Sequence, residues 1–385
     1  MTNTNHHSQN TAAIPADRTF LYVSLELGRA TWLVTTLLPG SEKMSRRVIA
    51  GGDARALVAL LGRLKAKAEE ASCTPVHTVV IQEVGMDGFW IHRVLQAAGI
   101  ESWLVDPASV AVPRKQRRAK TDKIDGEALI RVLVAYKRGE PRVCTMVVPP
   151  SPDEEDRRRL SRERNALLKA RIQETNRIRG LLFAQGVRDY DPLAKDRRAR
   201  LRAICTGDGR ALPPHLMDEI ARGLDRLELI LSQLQTIGAA QAKMALAAGE
   251  RSPVNLLTQL RAVGPSLAST LWGEALYRTF ENRRQLAAYA GLAPTPWRSG
   301  KIDREQGVSK AGNARLRSAL IELAWLWIRW QPTSQLSLWF TTRVAGQSGR
   351  VRKIMVVALA RKLLVALWRY CRDGVIPEGA ILKAA

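Results

Sequence analysis

Four carboxylates stand out by type and position: Glu26, Glu83, Asp122 and Asp125. Glu26 sits inside an apolar run and Glu83 closes another. Asp122 and Asp125 open the helical pattern KTDKIDGEAL, three residues apart, so they share one helix face. Oxygen donors in this number suit a hard cation, Mg²⁺ or Mn²⁺, and two such ions ~3.5 to 4 Å apart stabilise both the attacking and the leaving oxygen of a phosphoryl transfer. Each residue also has a plainer use. Asp122 and Asp125 suit the helix macrodipole in the first turn after a Thr121 cap. Glu26, between Leu25 and Leu27, suits a solvent-facing position on a half-exposed strand. Glu83 ends a strand at its C-terminal side, where sites of α/β sheets collect.

These acids lie in a basic chain. It has 385 residues, with 60 Lys and Arg against 36 Asp and Glu, a formal charge of +24. Such an excess calls for an anionic partner, and the phosphate backbone of nucleic acid is the first candidate. A membrane is disfavoured, since no run reaches the ~18 to 20 apolar residues of a spanning helix. The first residues lack the apolar core of a signal peptide, so a cytoplasmic location is expected. Cys73, Cys144, Cys205 and Cys371 are far apart and form no CxxC pair, which argues against a zinc site or a disulfide framework.

The elements that must position the acids follow from periodicity. Residues 1–18 form a polar tail expected to be disordered. Over residues 19–149 the pattern predicts strands at 19–27, 30–38 and 46–51, a helix over 53–71 with Asp53 as N-cap, a strand at 77–84, a helix at 87–99, a strand at 101–107 and a helix from about 121 to 137. The order βββαβαβα sets an antiparallel meander beside parallel strands, the arrangement of ribonuclease H-like domains. It brings Glu26 and Glu83 onto neighbouring strands.

After Pro149 and Pro150 the pattern becomes helical. Leu160, Leu167, Ile172, Thr175, Ile178 and Leu182 recur at helical spacing, as do Ile220, Leu224, Leu227, Leu231 and Leu234. Residues 150–250 read as a long antiparallel hairpin or a coiled-coil dimer arm. Its arginines could track a phosphate backbone or simply form a solvated face. Residues 251–385 form a third, mainly helical region. There LLTQLRAVGPSLASTLWGEA resembles a helix-hairpin-helix, whose turn amides can meet a phosphate; a structural corner explains the same letters. A loop marked by Gly and Pro with basic flanks then leads to a helix opened by Gly312 or Asn313. Its Trp325, Trp327 and Trp330 are expected in the core. A last basic helix over 350–370 is expected to pack against it.

Together, VSLELG, QEVG, KTDKIDGEAL and LRAVGPSLAS…AYAGLAP…RSGK…VSKAGNARLR resemble the DEDD-type insertion-sequence transposases over residues 19–370. The resemblance implies an α/β plus α chain: a RuvC-like, ribonuclease H-like catalytic domain, a helical arm, and a C-terminal transposase domain bearing a catalytic serine. It implies recombination of double-stranded donor and target DNA, guided by a structured noncoding RNA from the element's flank, with Mg²⁺ or Mn²⁺ held by Glu26, Glu83, Asp122 and Asp125. The family's serine nucleophile falls on Ser299, with Ser309 as a rival. Glu26 departs from the family's commoner Asp by one methylene, which keeps the carboxylate and shifts its reach. Nucleic-acid contacts are expected from Lys120, Arg298, Lys301, Lys310, Arg315 and Arg317, and the arm is expected to support a homodimer or homotetramer. A junction-resolving nuclease using water, or a decayed copy that only binds nucleic acid, are the alternatives.

Overall fold

A computed structural model describes residues 19–85, 88–110, 122–299 and 302–383; the polar tail over 1–18, with Lys120, Thr121 and Lys301, lies outside them. The chain divides into two compact units, residues 1–149 and 150–385.

In the first unit, β1 (Thr19–Leu27), β2 (Thr31–Leu37) and β3 (Ser45–Ala50) are followed by α1 (Ala54–Ser72), β4 (Val76–Glu83), α2 (Trp90–Ala97), β5 (Glu101–Val105) and α3 (Asp122–Lys137). The sheet order is β3-β2-β1-β4-β5. The first three strands pair antiparallel, whereas β4 pairs parallel with both β1 and β5. This is the element order expected from periodicity. Leu21, Val23 and Leu25 of β1 pack with Val76 and Val80 of β4 and with Leu57, Leu61 and Leu64 of α1 and Leu95 of α2. The opposite face, with Val79 and Ile81, is covered by Leu129 and Leu133 of α3. Asp53 caps α1, accepting from Ala56 N at 2.9 Å.

The second unit begins with α4 (Pro152–Phe183), opened by a capping box of Ser151 and Glu154. After the short α5 (Arg197–Ala203), α6 (Pro214–Ala247) returns along α4. Arg177 meets Glu219, Glu174 meets Arg226, and Ser161 meets Gln241, so the two helices run antiparallel. The arm is thus a hairpin folded within one chain, its stripe of Ile220, Leu224 and Leu227 buried against Ile178 and Leu182.

Beyond it come α7 (Pro253–Gln259), α8 (Pro265–Leu271), a π-helical turn (Trp272–Leu276), α9 (Arg283–Tyr289), β6 (Pro294–Ser299), β7 (Ile302–Val308), α10 (Ala314–Trp330), α11 (Gln335–Val344) and α12 (Gly349–Asp373). The carbonyls of the turn between α7 and α8 are engaged, Arg261 O by Gln331 Nε2 at 3.0 Å and Val263 O by Lys383 Nζ at 2.9 Å. Two expectations are corrected. The segment read as a loop is the β6–β7 hairpin, whose Pro and Gly residues obscure its strand pattern. Of the three tryptophans only Trp327 is core; Trp325 and Trp330 are 41% and 49% exposed, because Trp325 lies on nearly the opposite helix face from Trp327 and Trp330 is the last residue of the helix. No helix among the described residues is long and apolar enough to cross a membrane, and the four cysteines are free.

Candidate functional site

Strand alternation decides where two of the acids go. Successive side chains of β1 lie on opposite faces, and Leu21, Val23 and Leu25 belong to the α1/α2 side. Phe20 and Tyr22 pack on the α3 side, and Ser24 and Glu26 continue that series. On β4, Val79 and Ile81 lie on the α3 side and Glu83 follows them. Leu25 is in register with Gln82, so Glu26 and Glu83 stand one step further on, side by side at the C-terminal ends of adjacent parallel strands. Glu26 is half-buried and Glu83 exposed.

A polar contact then brings in the helix. Ser24 Oγ donates to Gly126 O at 2.7 Å, fastening the first turn of α3 two residues upstream of Glu26 on the same face. The approach requires glycine, since a Cβ at Gly126 would lie 2.6 Å from Thr35 Oγ1 and 3.3 Å from Ser24 Oγ. The half-buried Asp125 immediately precedes this contact, and Asp122 is the first residue of α3. Next to them Glu127 is held by Arg46 of β3 at 3.0 Å. Glu26 and Glu83 thus lie at the C-terminal ends of the adjacent strands β1 and β4, and the first turn of α3 is fastened to β1 on the same face. Among the described residues no three His, Cys, Asp or Glu side chains form a group able to hold a metal ion; the side chain of Asp122 lies outside them.

In the second unit the β6–β7 hairpin carries Ser299. Arg298 pairs with Asp303 and Ser299 with Ile302, so Ser299 is the last strand residue before the tip. The side chains of Arg298 and Ser299 fall outside the described set. The root of the hairpin is fixed by backbone bonds from Ser309 N to Ala293 O at 2.9 Å and from Lys310 N to Gly291 O at 3.2 Å. Gly312 adopts φ +111°, and a Cβ there would meet Tyr289 O at 2.5 Å, which accounts for the glycine in SKAGN. Arg317 donates to Lys310 O at 2.9 Å and thereby braces this root, while Lys310 and Arg315 are exposed.

Beneath the root lies a residue the sequence reading missed. Glu274 is 1% exposed, in the π-helical turn. Arg162 of α4 grips it with two bonds, Nε to Oε1 at 2.8 Å and Nη2 to Oε2 at 3.1 Å. Asn313 Nδ2 donates to Oε2 at 2.8 Å, while Asn313 Oδ1 caps α10 by accepting from Arg315 N and Leu316 N. Tyr289 OH donates to Glu274 O at 2.8 Å. Burial opposes the charge on Glu274, but the bonds from Arg162 and Asn313 hold its carboxyl below the usual glutamate value. The signal was present as one acid in the apolar run LASTLWGEAL. A π-helical turn is itself a frequent mark of a functional site.

The profile described as the Transposase IS116/IS110/IS902 family matches residues 254–337, the stretch that holds Glu274, the hairpin and Asn313. A protein of Sinorhizobium fredii named "Putative transposase y4rJ" is 54% identical over 390 residues, 98% of each chain. The transposase for insertion sequence element IS1111A of Coxiella burnetii is 27% identical over 297 residues, 76% of this chain and 77% of its own. That for insertion sequence element IS1328 of Yersinia enterocolitica is 25% identical over 311 residues, 80% of this chain and 86% of its own. Likeness of this extent defines an insertion-sequence transposase. The chain belongs to the IS116/IS110/IS902 family.

Proposed function

We propose that this transposase is an RNA-guided DNA recombinase with a metal-assisted carboxylate site and a serine nucleophile. The observation that carries the reading is the placement of Glu26 and Glu83 on adjacent strand ends, with α3 fastened onto the same face by Ser24 and Gly126. The strand order, with an antiparallel meander beside two parallel strands, supports reading residues 19–149 as a RuvC-like domain. Residues 150–250 are then the arm, and residues 251–385 the serine-bearing domain.

The donor set fits a hard divalent cation, since all four groups supply oxygen and the basic chain leaves them as local counter-charge. Glu26, Glu83, Asp122 and Asp125 would hold Mg²⁺ or Mn²⁺, which supplies charge stabilisation at a scissile phosphate. The protein's own residues orient the DNA. Lys120, Arg298, Lys301, Lys310, Arg315 and Arg317 supply nucleic-acid contacts by neutralising backbone phosphate charge. Ser299 Oγ attacks phosphorus, forming one P–O bond as the P–O bond to the strand breaks. The serine proton is lost to solvent, and the departing oxygen takes one up. Rejoining reverses this sequence on the exchanged strand. A structured RNA pairs with donor and target, and a homodimer or homotetramer brings the two DNAs together.

The test is recombination between donor and target plasmids in cells that also carry the element's flanking noncoding DNA. Wild type should give junctions, and both Ser299→Ala and Asp122→Ala should give none. Junctions or cleavage persisting in Ser299→Ala would favour a water-using nuclease. No junctions from wild type, with nucleic-acid binding equal in wild type and Asp122→Ala, would favour a copy that only binds.

A further inference from the structure

We infer that Arg158, with Arg157, forms a phosphodiester-binding site on the second unit where α4 meets the π-helical turn. Arg158 is 7% exposed, yet its buried Nε has no hydrogen-bond partner. A guanidinium removed from water is costly without an acceptor. The nearby acid is already committed, because both oxygens of Glu274 receive Arg162 and one also receives Asn313. Arg158 is close enough to help hold the Glu274 carboxyl in its charged form, so one carboxylate faces two guanidiniums and a positive charge is left over.

The surroundings are built rather than incidental. The Arg158 guanidinium lies over the ring of Tyr277, 5.7 Å from its centre, and Arg157 lies over Trp272 at 4.0 Å. Two aromatic rings at the ends of the π-helical turn thus back two consecutive arginines. Gly273 sits between them, and a Cβ there would meet Arg158 Cγ at 3.3 Å, so glycine admits the arginine stem. A planar fork of donors with surplus charge suits a phosphate oxygen pair. The +24 chain favours a polyanionic partner such as a phosphate backbone. The inference rests on the reading above that the protein acts on DNA with a guide RNA, and it assigns a contact which that reading leaves open.

The test is the salt dependence of binding by the full chain, measured by fluorescence anisotropy with duplex DNA and, separately, with structured RNA from the element's flank. Each phosphate contact contributes about 0.9 to the slope of log K against log salt for duplex DNA and about 0.7 for a single strand. Arg158→Gln should lower the slope by about one such step on whichever nucleic acid occupies the site, and Arg158→Lys should retain it. Should Arg158→Gln fail to fold, Arg157→Gln should show the same loss with an unchanged melting temperature. Slopes equal to wild type in folded variants on both nucleic acids would overturn the site while leaving the recombinase reading intact. No binding by wild type to either would overturn both.

Discussion

Gly126→Ala tests the packing that brings α3 to the carboxylates. The new Cβ would stand 2.6 Å from Thr35 Oγ1, whereas ordinary contact begins at 3.4 Å, so the helix or the threonine must give by about 0.8 Å. Alanine gains ~1 kcal/mol over glycine in a helix interior, and overpacking a buried contact costs ~1 to 3 kcal/mol. The single variant should therefore be neutral to about 2 kcal/mol less stable. Thr35 is fully buried and its Oγ1 makes no hydrogen bond, so Thr35→Ala breaks none. In that background the 2.6 Å contact is removed and the tightest left is Ser24 Oγ at 3.3 Å, so Gly126→Ala should be neutral to about 1 kcal/mol stabilising. Denaturant unfolding of the four members of this cycle measures the sign. Activity should respond more sharply, because Asp125 adjoins the contact and a misplacement near 1 Å costs ~10²-fold in rate. Gly126→Ala should lose 10- to 100-fold in strand exchange with DNA binding kept, and the double variant should recover it. A stabilising Gly126→Ala in the wild-type background, or equal effects in both backgrounds, would refute the reasoning.

Further outcomes follow from the hub beneath the hairpin. Glu274→Gln leaves Arg162 without its counter-charge and should cost about 2 to 3 kcal/mol, below the ~3 to 5 of a fully buried pair because Arg162 is 39% exposed; chemical denaturation checks it. Because the Glu274 pKa is lowered from an ordinary 4.5, its stabilisation is complete above that value and lost as pH falls through the folded one. The melting-temperature gap between wild type and Glu274→Gln should be constant from neutral pH to about 6 and close in acid. Asn313→Ala should cost about 1 kcal/mol through the α10 cap. Asn313→Asp keeps the cap but sets a second carboxylate where Nδ2 now lies 2.8 Å from Glu274 Oε2, so at neutral pH it should be the less stable of the two by calorimetry.

Much of the first unit was legible, because its strands alternate and its helices carry 3.6-residue spacing. Thus Leu21, Val23 and Leu25 announced one face, and Ser24 and Glu26 the other. That Glu26 stands beside Glu83 needed the register with β4, which a single strand does not carry. In the second unit the arm was readable from Ile220, Leu224 and Leu227, but its folding back within one chain depended on long-range pairs such as Arg177 with Glu219. The β6–β7 hairpin was missed because PTPWRS and IDREQGV lack alternating apolar residues. Glu274 was missed because its partners Arg162 and Asn313 lie 112 and 39 residues away.

The central claim is that Ser299 becomes covalently joined to DNA, and trapping that bond tests it most directly. Protein incubated with end-labelled donor DNA, flanking RNA and Mg²⁺ should, after denaturation, carry label on a peptide spanning residues 294–308, and Ser299→Ala should carry none. Label persisting in Ser299→Ala, or strand exchange by wild type with no protein-bound label at any time point, would contradict the account.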